Sequence, residues 1–174
     1  ACVAVLGVCW AGATYVPISL KQPEERVLTL LAQCGLSAII ADDEGAKLLS
    51  ERLLTAGPRL VINAGQSLLT PPAGAVEMVD MATLPPVTPE EPAPMAASDT
   101  AYIIFTSGTT GVPKGVMISA GSARHYLTTI TEWLDLRASD RALETCELSF
   151  DFSVHNMFST WEVGAALHIL PATT

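Results

Sequence analysis

The sequence is poor in positive charge, cysteine and histidine, and each shortage excludes a class of function. Nine Lys plus Arg stand against eighteen Asp plus Glu, so the net charge is −9. This balance argues against a binding surface for nucleic acid or for an acidic membrane. The three histidines and four cysteines show no spacing typical of metal ligands. We therefore predict no metal-binding residues, and reduced, buried thiols in a cytoplasmic protein.

Long apolar runs are also missing. The apolar stretch at residues 1–13 is too short to cross a bilayer, and no other segment is a candidate membrane span. The stretch ends in small residues, as a signal-peptidase site does, but no basic leader precedes it. We predict a buried helix that ends at Gly12.

Helical and strand-like patterns alternate along the chain. A helix is expected to start at Pro23, with two glutamates in its first turn, and to stop at Gly35. Further amphipathic helices are predicted around 46–53, from Ser119 or Ser122 to 134, and at 154–161. Strands are predicted at 36–41, 59–62, 101–105, 116–118, 141–147 and 166–170. This pattern indicates an α/β fold with doubly wound helix-strand layers.

Residues 80–98 break this alternation. Five prolines fall between 85 and 94, with few apolar residues among them. Proline removes a backbone donor and disrupts both helices and central strands. We predict an exposed, proline-rich connection here.

The most informative segment is the loop between the two central predicted strands, which reads TSGTTGVPKG from Thr106 to Gly115. Free backbone N–H groups, four hydroxyls and the cation of Lys114 can act together on one anion, as a polyphosphate requires. The commonest phosphate loop has Lys directly after Gly and a hydroxyl residue after Lys. Here Pro113 separates Gly111 from Lys114, and Gly115 follows, so the loop is of a different kind. A plain surface turn is the alternative.

The segment from Tyr102 to Gly115 resembles the signature phosphate loop of the adenylate-forming enzymes, and two further stretches agree. Residues 10–18, followed by Pro23 to Arg26, are similar to an upstream motif of that family. Residues 150–154 resemble the start of its acyl-substrate pocket, in the version found in the adenylation domains of nonribosomal peptide synthetases. The resemblance implies that residues 1–174 are part of a large N-terminal subdomain, and that this part alone would not complete adenylation.

The resemblance implies attack of a carboxylate on the α-phosphorus of ATP, with Mg²⁺ assisting, to give an acyl-adenylate and pyrophosphate. Lys114 would be the catalytic residue, because it can neutralise phosphate charge; a mobile surface lysine is the alternative. The residues that would bind ATP are Thr106, Ser107, Gly108, Thr109, Thr110, Gly111 and Lys114.

The resemblance also implies three substrate-binding residues in the following helix. Asp151 would hold the α-ammonium group of an amino acid; from its spacing alone, an aspartate before a helical stripe is more typical of a helix cap, which is the alternative. Phe152 and His155 would form the pocket wall, and His155 lies one turn beyond Asp151 on the same helix face. For His155 a surface or core-edge position is the alternative. The acyl group would pass to the phosphopantetheine thiol of a carrier protein.

Two further functions stay open. An acyl- or aryl-CoA ligase would share the phosphate loop but has no ammonium group to bind. A degenerate module that binds nucleotide or a partner without catalysis is suggested by Ala120, which stands where the family commonly has histidine; His125 follows shortly after it. The aromatic and methionine residues at helical spacing, including Phe158, Trp161 and Trp133, are predicted to be core.

Overall fold

The computed structural model describes residues 1–66, 76–86, 88, 90–106 and 113–170. The chain divides into two compact units. The first consists of Ala1 and Leu20–Glu90, and the second of Cys2–Ser19 and Glu91–Thr174.

The helices and strands alternate along most of the described chain. The helices are α1 (Cys2–Trp10), α2 (Glu24–Cys34), α3 (Asp43–Ala46), α4 (Glu51–Ala56), α5 (Ala120–Trp133) and α6 (Asp151–Glu162). The strands are β1 (Ala38–Ala41), β2 (Leu60–Asn63), β3 (Glu77–Asp80), β4 (Thr100–Thr106), β5 (Lys114–Ser119), β6 (Arg141–Glu144) and β7 (Ala166–Ile169). The mixed α/β class predicted from the sequence is confirmed.

The first unit contains a three-stranded parallel sheet in the order β1-β2-β3. Helix α2 begins after Pro23 and ends at Gly35, whose left-handed backbone (φ 57°) favours glycine, as the sequence predicts. Leu30 and Leu31 of this helix are buried. The single helix predicted around 46–53 is wrong, because α3 ends at Ala46 and α4 begins at Glu51. The Ser50 hydroxyl accepts a hydrogen bond from the Leu53 N–H and so caps a new helix.

The second unit contains an antiparallel pair, β4–β5, and a parallel pair, β6–β7, which is connected through α6. Its core is centred on Val5, Tyr15 and Met157, and Phe158 and Trp161 pack against these residues, as predicted. Parallel strands require such a crossover, and α6 therefore starts from the carboxyl end of β6.

Two predictions about apolar residues fail in the second unit. Helix α1 forms as expected, but only Val5 is buried, and Trp10 is 54% exposed. On α5, Trp133 is 78% exposed rather than part of the core. Helical spacing shows that apolar residues share a face, but it does not show what covers that face. The four cysteines are free, as expected, but half-buried rather than buried.

The segment after β3 is exposed where it is described. Apart from half-buried Met95, the described residues between 81 and 99 are exposed, and a short 3-10 helix covers Met81–Thr83. Its role as a connection within one larger subdomain stays a prediction. No helix in the described parts of the chain combines the length and the apolarity needed to cross a membrane.

Candidate functional site

The β4–β5 hairpin brings the two ends of the predicted phosphate loop together. Thr106 is the last residue of β4 and pairs with Lys114, the first residue of β5. The Thr106 hydroxyl donates a hydrogen bond to the Lys114 carbonyl at 3.4 Å. Both residues are exposed, and the Lys114 ammonium forms no salt bridge with a residue that the structure describes. The loop end of this hairpin therefore carries an exposed cation that has no ion pair among the described residues.

The middle of the predicted ATP site lies outside the described residues. This applies to Ser107, Gly108, Thr109, Thr110 and Gly111. Their assignment to ATP binding stays a prediction, as does that of Thr106 and Lys114.

Close packing against β4 explains why position 115, which follows Lys114, is a glycine. A Cβ atom at Gly115 would lie 3.0 Å from Ile103 Cγ2 and 3.1 Å from Phe105 Cζ. Both neighbours belong to β4, and such distances are shorter than ordinary van der Waals contacts. Gly115 thus leaves room for the side chains of Phe105, its partner across the hairpin, and of Ile103.

Asp151 occupies the first turn of α6, just after the carboxyl end of β6. The capping position belongs to Phe150, whose backbone is extended, and no side chain forms a capping hydrogen bond at this helix end. The interpretation of Asp151 as the helix cap is therefore wrong. Its carboxylate is exposed and has no ion pair among the described residues, while the positive end of the helix dipole favours its charge.

One turn further along α6, His155 contacts one side chain from α5 and one from its own helix. Its Nδ1 atom lies 2.9 Å from the Tyr126 hydroxyl oxygen on α5, within hydrogen-bonding distance. The Phe152 ring lies 5.1 Å from the imidazole ring at an interplanar angle of 33°. The Tyr126 ring contacts it edge-on at 6.1 Å. We call Tyr126, Phe152 and His155 the His155 cluster.

Tyr102 connects this region with the core. Its half-buried ring stacks on Tyr15 at 5.6 Å, and Tyr15 in turn stacks on Phe158 at 6.4 Å. Burial raises the pKa of the Tyr102 hydroxyl, and the negative charge of Asp151 raises it further, with a smaller contribution from Tyr126. The substrate-binding residues predicted from the sequence thus lie beside two tyrosines from other elements.

A buried glutamate anchors the same helix. Glu144, at the end of β6, is 5% exposed, and its Oε1 atom accepts hydrogen bonds from the Cys146 N–H at 2.7 Å and from Asn156 Nδ2 at 3.2 Å. The other oxygen, Oε2, has no hydrogen-bond partner among the described residues. Because Asn156 is adjacent to His155, Glu144 helps to fix the rotation of α6 relative to β6.

Sequence patterns missed Tyr102, Tyr126 and Glu144 as parts of this region. Tyr126 belongs to an apolar stripe, and nothing in the spacing connects it with His155, which is 29 residues away. Its phenol group was the one available signal, since a tyrosine hydroxyl normally seeks a partner. Ala120 begins α5 after the capping residue Ser119, and His125 is exposed on the same helix.

The described residues include no group of three His, Cys, Asp or Glu side chains that could hold a metal ion.

Comparison with known proteins gives consistent matches over nearly the whole chain. The profile of the AMP-binding enzyme family matches residues 1–174. Pyochelin synthetase PchE of Pseudomonas aeruginosa is 36% identical over 169 residues, which cover 97% of this chain and 10% of the synthetase. The chain therefore spans only a tenth of the length of that relative.

Solved structures agree with these matches. IdnL7 superposes with a TM-score of 0.79 at 29% identity, over 97% of this chain and 33% of that one. The nonribosomal peptide synthetase FmoA3, in its AMPPNP-bound form, has a TM-score of 0.69 at 26% identity and covers 98% of this chain and 16% of its own.

Proposed function

Because the chain belongs to the family of AMP-binding enzymes, we propose that it is part of an ATP-dependent ligase that activates an amino acid as an aminoacyl-adenylate. One observation carries the amino-acid assignment. The Asp151 carboxylate is exposed at the start of α6, takes no part in capping, and lies beside an aromatic wall. A carboxylate so placed can bind the α-ammonium group of an amino acid.

In the proposed reaction, a carboxylate oxygen of the amino acid forms a bond to the α-phosphorus of ATP. The bond from that phosphorus to the bridging oxygen breaks, and pyrophosphate leaves with the electron pair. Catalysis of such a transfer consists mainly of positioning and of charge stabilisation. Lys114 and Thr106, which are exposed and paired across the hairpin, support this role with an ammonium group and a hydroxyl.

Mg²⁺ is expected to enter bound to the phosphates of ATP, where it would neutralise their charge. The described residues bring no three metal-ligating side chains together, so we assign no step to the ion.

We further propose that the complete protein passes the aminoacyl group to the phosphopantetheine thiol of a carrier protein. The likeness to pyochelin synthetase PchE and to the nonribosomal peptide synthetase FmoA3 supports this acceptor. Because the chain spans a tenth of PchE, activity is proposed for the complete protein, and residues 1–174 alone are expected to be inactive.

ATP–pyrophosphate exchange by the complete protein, with the common amino acids and with fatty and aryl acids, tests this function. We expect exchange with one or a few amino acids. Exchange with fatty or aryl acids only would replace the proposal by an acyl- or aryl-CoA ligase. Exchange with no acid at all would indicate a module without catalysis.

The variant Asp151→Asn tests the role of the carboxylate. The loss of a charged hydrogen-bond partner is expected to raise the KM for the amino acid by about tenfold to a hundredfold, while the KM for ATP stays the same. Asp135→Asn is the control: Asp135 forms only an exposed ion pair with Arg137, which contributes little to stability, and asparagine tolerates its positive φ of 51°. An unchanged amino-acid KM in Asp151→Asn would contradict the ammonium-binding role.

A further inference from the structure

The His155 ring is held by groups on both sides. Helices α5 and α6 pack against each other, and Tyr126 reaches across this contact to His155. On its own helix, His155 lies against the tilted Phe152 ring. The imidazole is half-buried, whereas Tyr126 is 47% exposed. One hydrogen bond and two aromatic contacts favour a single orientation of this ring.

The hydrogen bond also bears on which imidazole nitrogen carries the proton. A neutral imidazole has one donor and one acceptor nitrogen, and a phenol hydroxyl can donate or accept. An imidazole nitrogen is a stronger acceptor than a phenol oxygen, so the favoured arrangement has Tyr126 donating to Nδ1. The proton of His155 then lies on Nε2, which forms no hydrogen bond with any residue that the structure describes.

We propose that Tyr126 is a positioning residue that fixes the orientation and the Nε2–H tautomer of His155, and thereby sets the side-chain specificity of the amino-acid pocket. The proposal rests on the proposed function. It implies a pocket wall that offers an N–H donor. The preferred amino acid then has a side chain that accepts a hydrogen bond, because an apolar side chain would leave this donor unpaired.

A double-mutant cycle in the complete protein tests the proposal, with Tyr126→Phe, His155→Leu and both changes together. Tyr126→Phe keeps the ring and removes only the hydroxyl. We expect it to lower kcat/KM for the preferred amino acid about threefold to tenfold, mainly through KM. In the His155→Leu background the same change is expected to have no effect, because the hydrogen bond is already absent. The KM for ATP should be constant throughout.

Three results would overturn the proposal. The first is that Tyr126→Phe has the same effect with and without His155. The second is that Tyr126→Phe changes the KM for ATP as much as the KM for the amino acid. The third is that Tyr126→Phe leaves kcat/KM for the preferred amino acid unchanged. Tyr15→Phe is the control, since it removes a tyrosine hydroxyl that has no hydrogen-bond partner among the described residues. The melting temperature of each variant shows whether a loss of activity reflects unfolding.

The tautomer of His155 can be measured directly by NMR. With histidine-selective ¹⁵N labelling of the complete protein, we expect His155 to show a protonated Nε2 and an unprotonated Nδ1, and Tyr126→Phe to give a mixture. An Nδ1–H tautomer, or identical spectra for the two proteins, would contradict the proposal. If exchange occurs only with other carboxylic acids, the amino-acid function fails, but the ¹⁵N spectra still decide whether Tyr126 positions His155.

Discussion

The β4–β5 hairpin and the His155 cluster form two parts of the proposed site in different ways. The hairpin carries Thr106 and Lys114 at the two ends of one short loop, and backbone pairing holds them opposite each other. The His155 cluster takes its residues from α5 and α6, and side-chain contacts alone connect the two helices there. Substitutions in the hairpin should therefore affect every substrate alike, whereas substitutions in the cluster should change the choice of acid.

The largest effect is expected for Lys114→Ala in the complete protein. Loss of the cation should lower the rate of ATP–pyrophosphate exchange about a hundredfold to a thousandfold, because positioned charges stabilise the transition state of phosphate chemistry. The order of preference among amino acids should not change. Lys47→Ala is the control, since Lys47 is an exposed lysine paired with Glu44 in the first unit. A changed order of preference would show that the hairpin, and not only the His155 cluster, affects the choice of amino acid.

Gly115→Ala should have the next largest effect. The new Cβ would lie 3.0 Å from Ile103 Cγ2 and 3.1 Å from Phe105 Cζ, so these two side chains of β4 must give way by a few tenths of an ångström. We expect the KM for ATP to rise about tenfold and the protein to lose about 1–3 kcal/mol of stability, as overpacking does. Gly7→Ala is the matched control, because nothing lies within 4 Å of its Cβ position and alanine favours a helix. Steady-state kinetics and thermal unfolding measure both effects, and a normal KM for ATP would show that this packing is dispensable.

Next to the His155 cluster, Glu144→Ala is expected to raise the KM for the amino acid about threefold to tenfold. The change leaves the Cys146 N–H and Asn156 Nδ2 without their acceptor, so α6 is less firmly fixed beside His155. Glu144→Gln is the control: it keeps an oxygen acceptor and should have the smaller effect. If ATP kinetics changed instead, Glu144 would not belong with the cluster.

The smallest effect is expected for Tyr15→Phe. The Tyr15 hydroxyl is buried without a hydrogen-bond partner among the described residues, and burial raises its pKa well above the ordinary value. Removing it should leave exchange unchanged and raise stability by about 1 kcal/mol, because an unpaired buried hydroxyl is unfavourable. Chemical denaturation measures the change. A clear loss of stability would show that the hydroxyl has a partner, such as a buried water.

Local signals in the sequence were sufficient for much of the fold. Pro23 and Gly35 set the ends of α2, and the strand preceding Thr106 was placed correctly to within a residue at each end. Strand β3 was missed, because four residues with an acidic group at each end give no apolar pattern, and its partner β2 is distant in sequence. The prediction that Trp133 belongs to the core is wrong, because periodicity does not show what packs against a helix face.

The sequence by itself determined the family and most of the helices and strands, and it identified Lys114 and Asp151 as candidates. These features depend on residues adjacent in the chain or spaced by one helical turn. The tertiary structure decided that Phe150, not Asp151, occupies the capping position, that Gly115 makes room for Phe105, and that Tyr126 bonds to His155. These features depend on backbone angles and on contacts between distant segments, which only the packing of α5, α6 and the β4–β5 hairpin brings about.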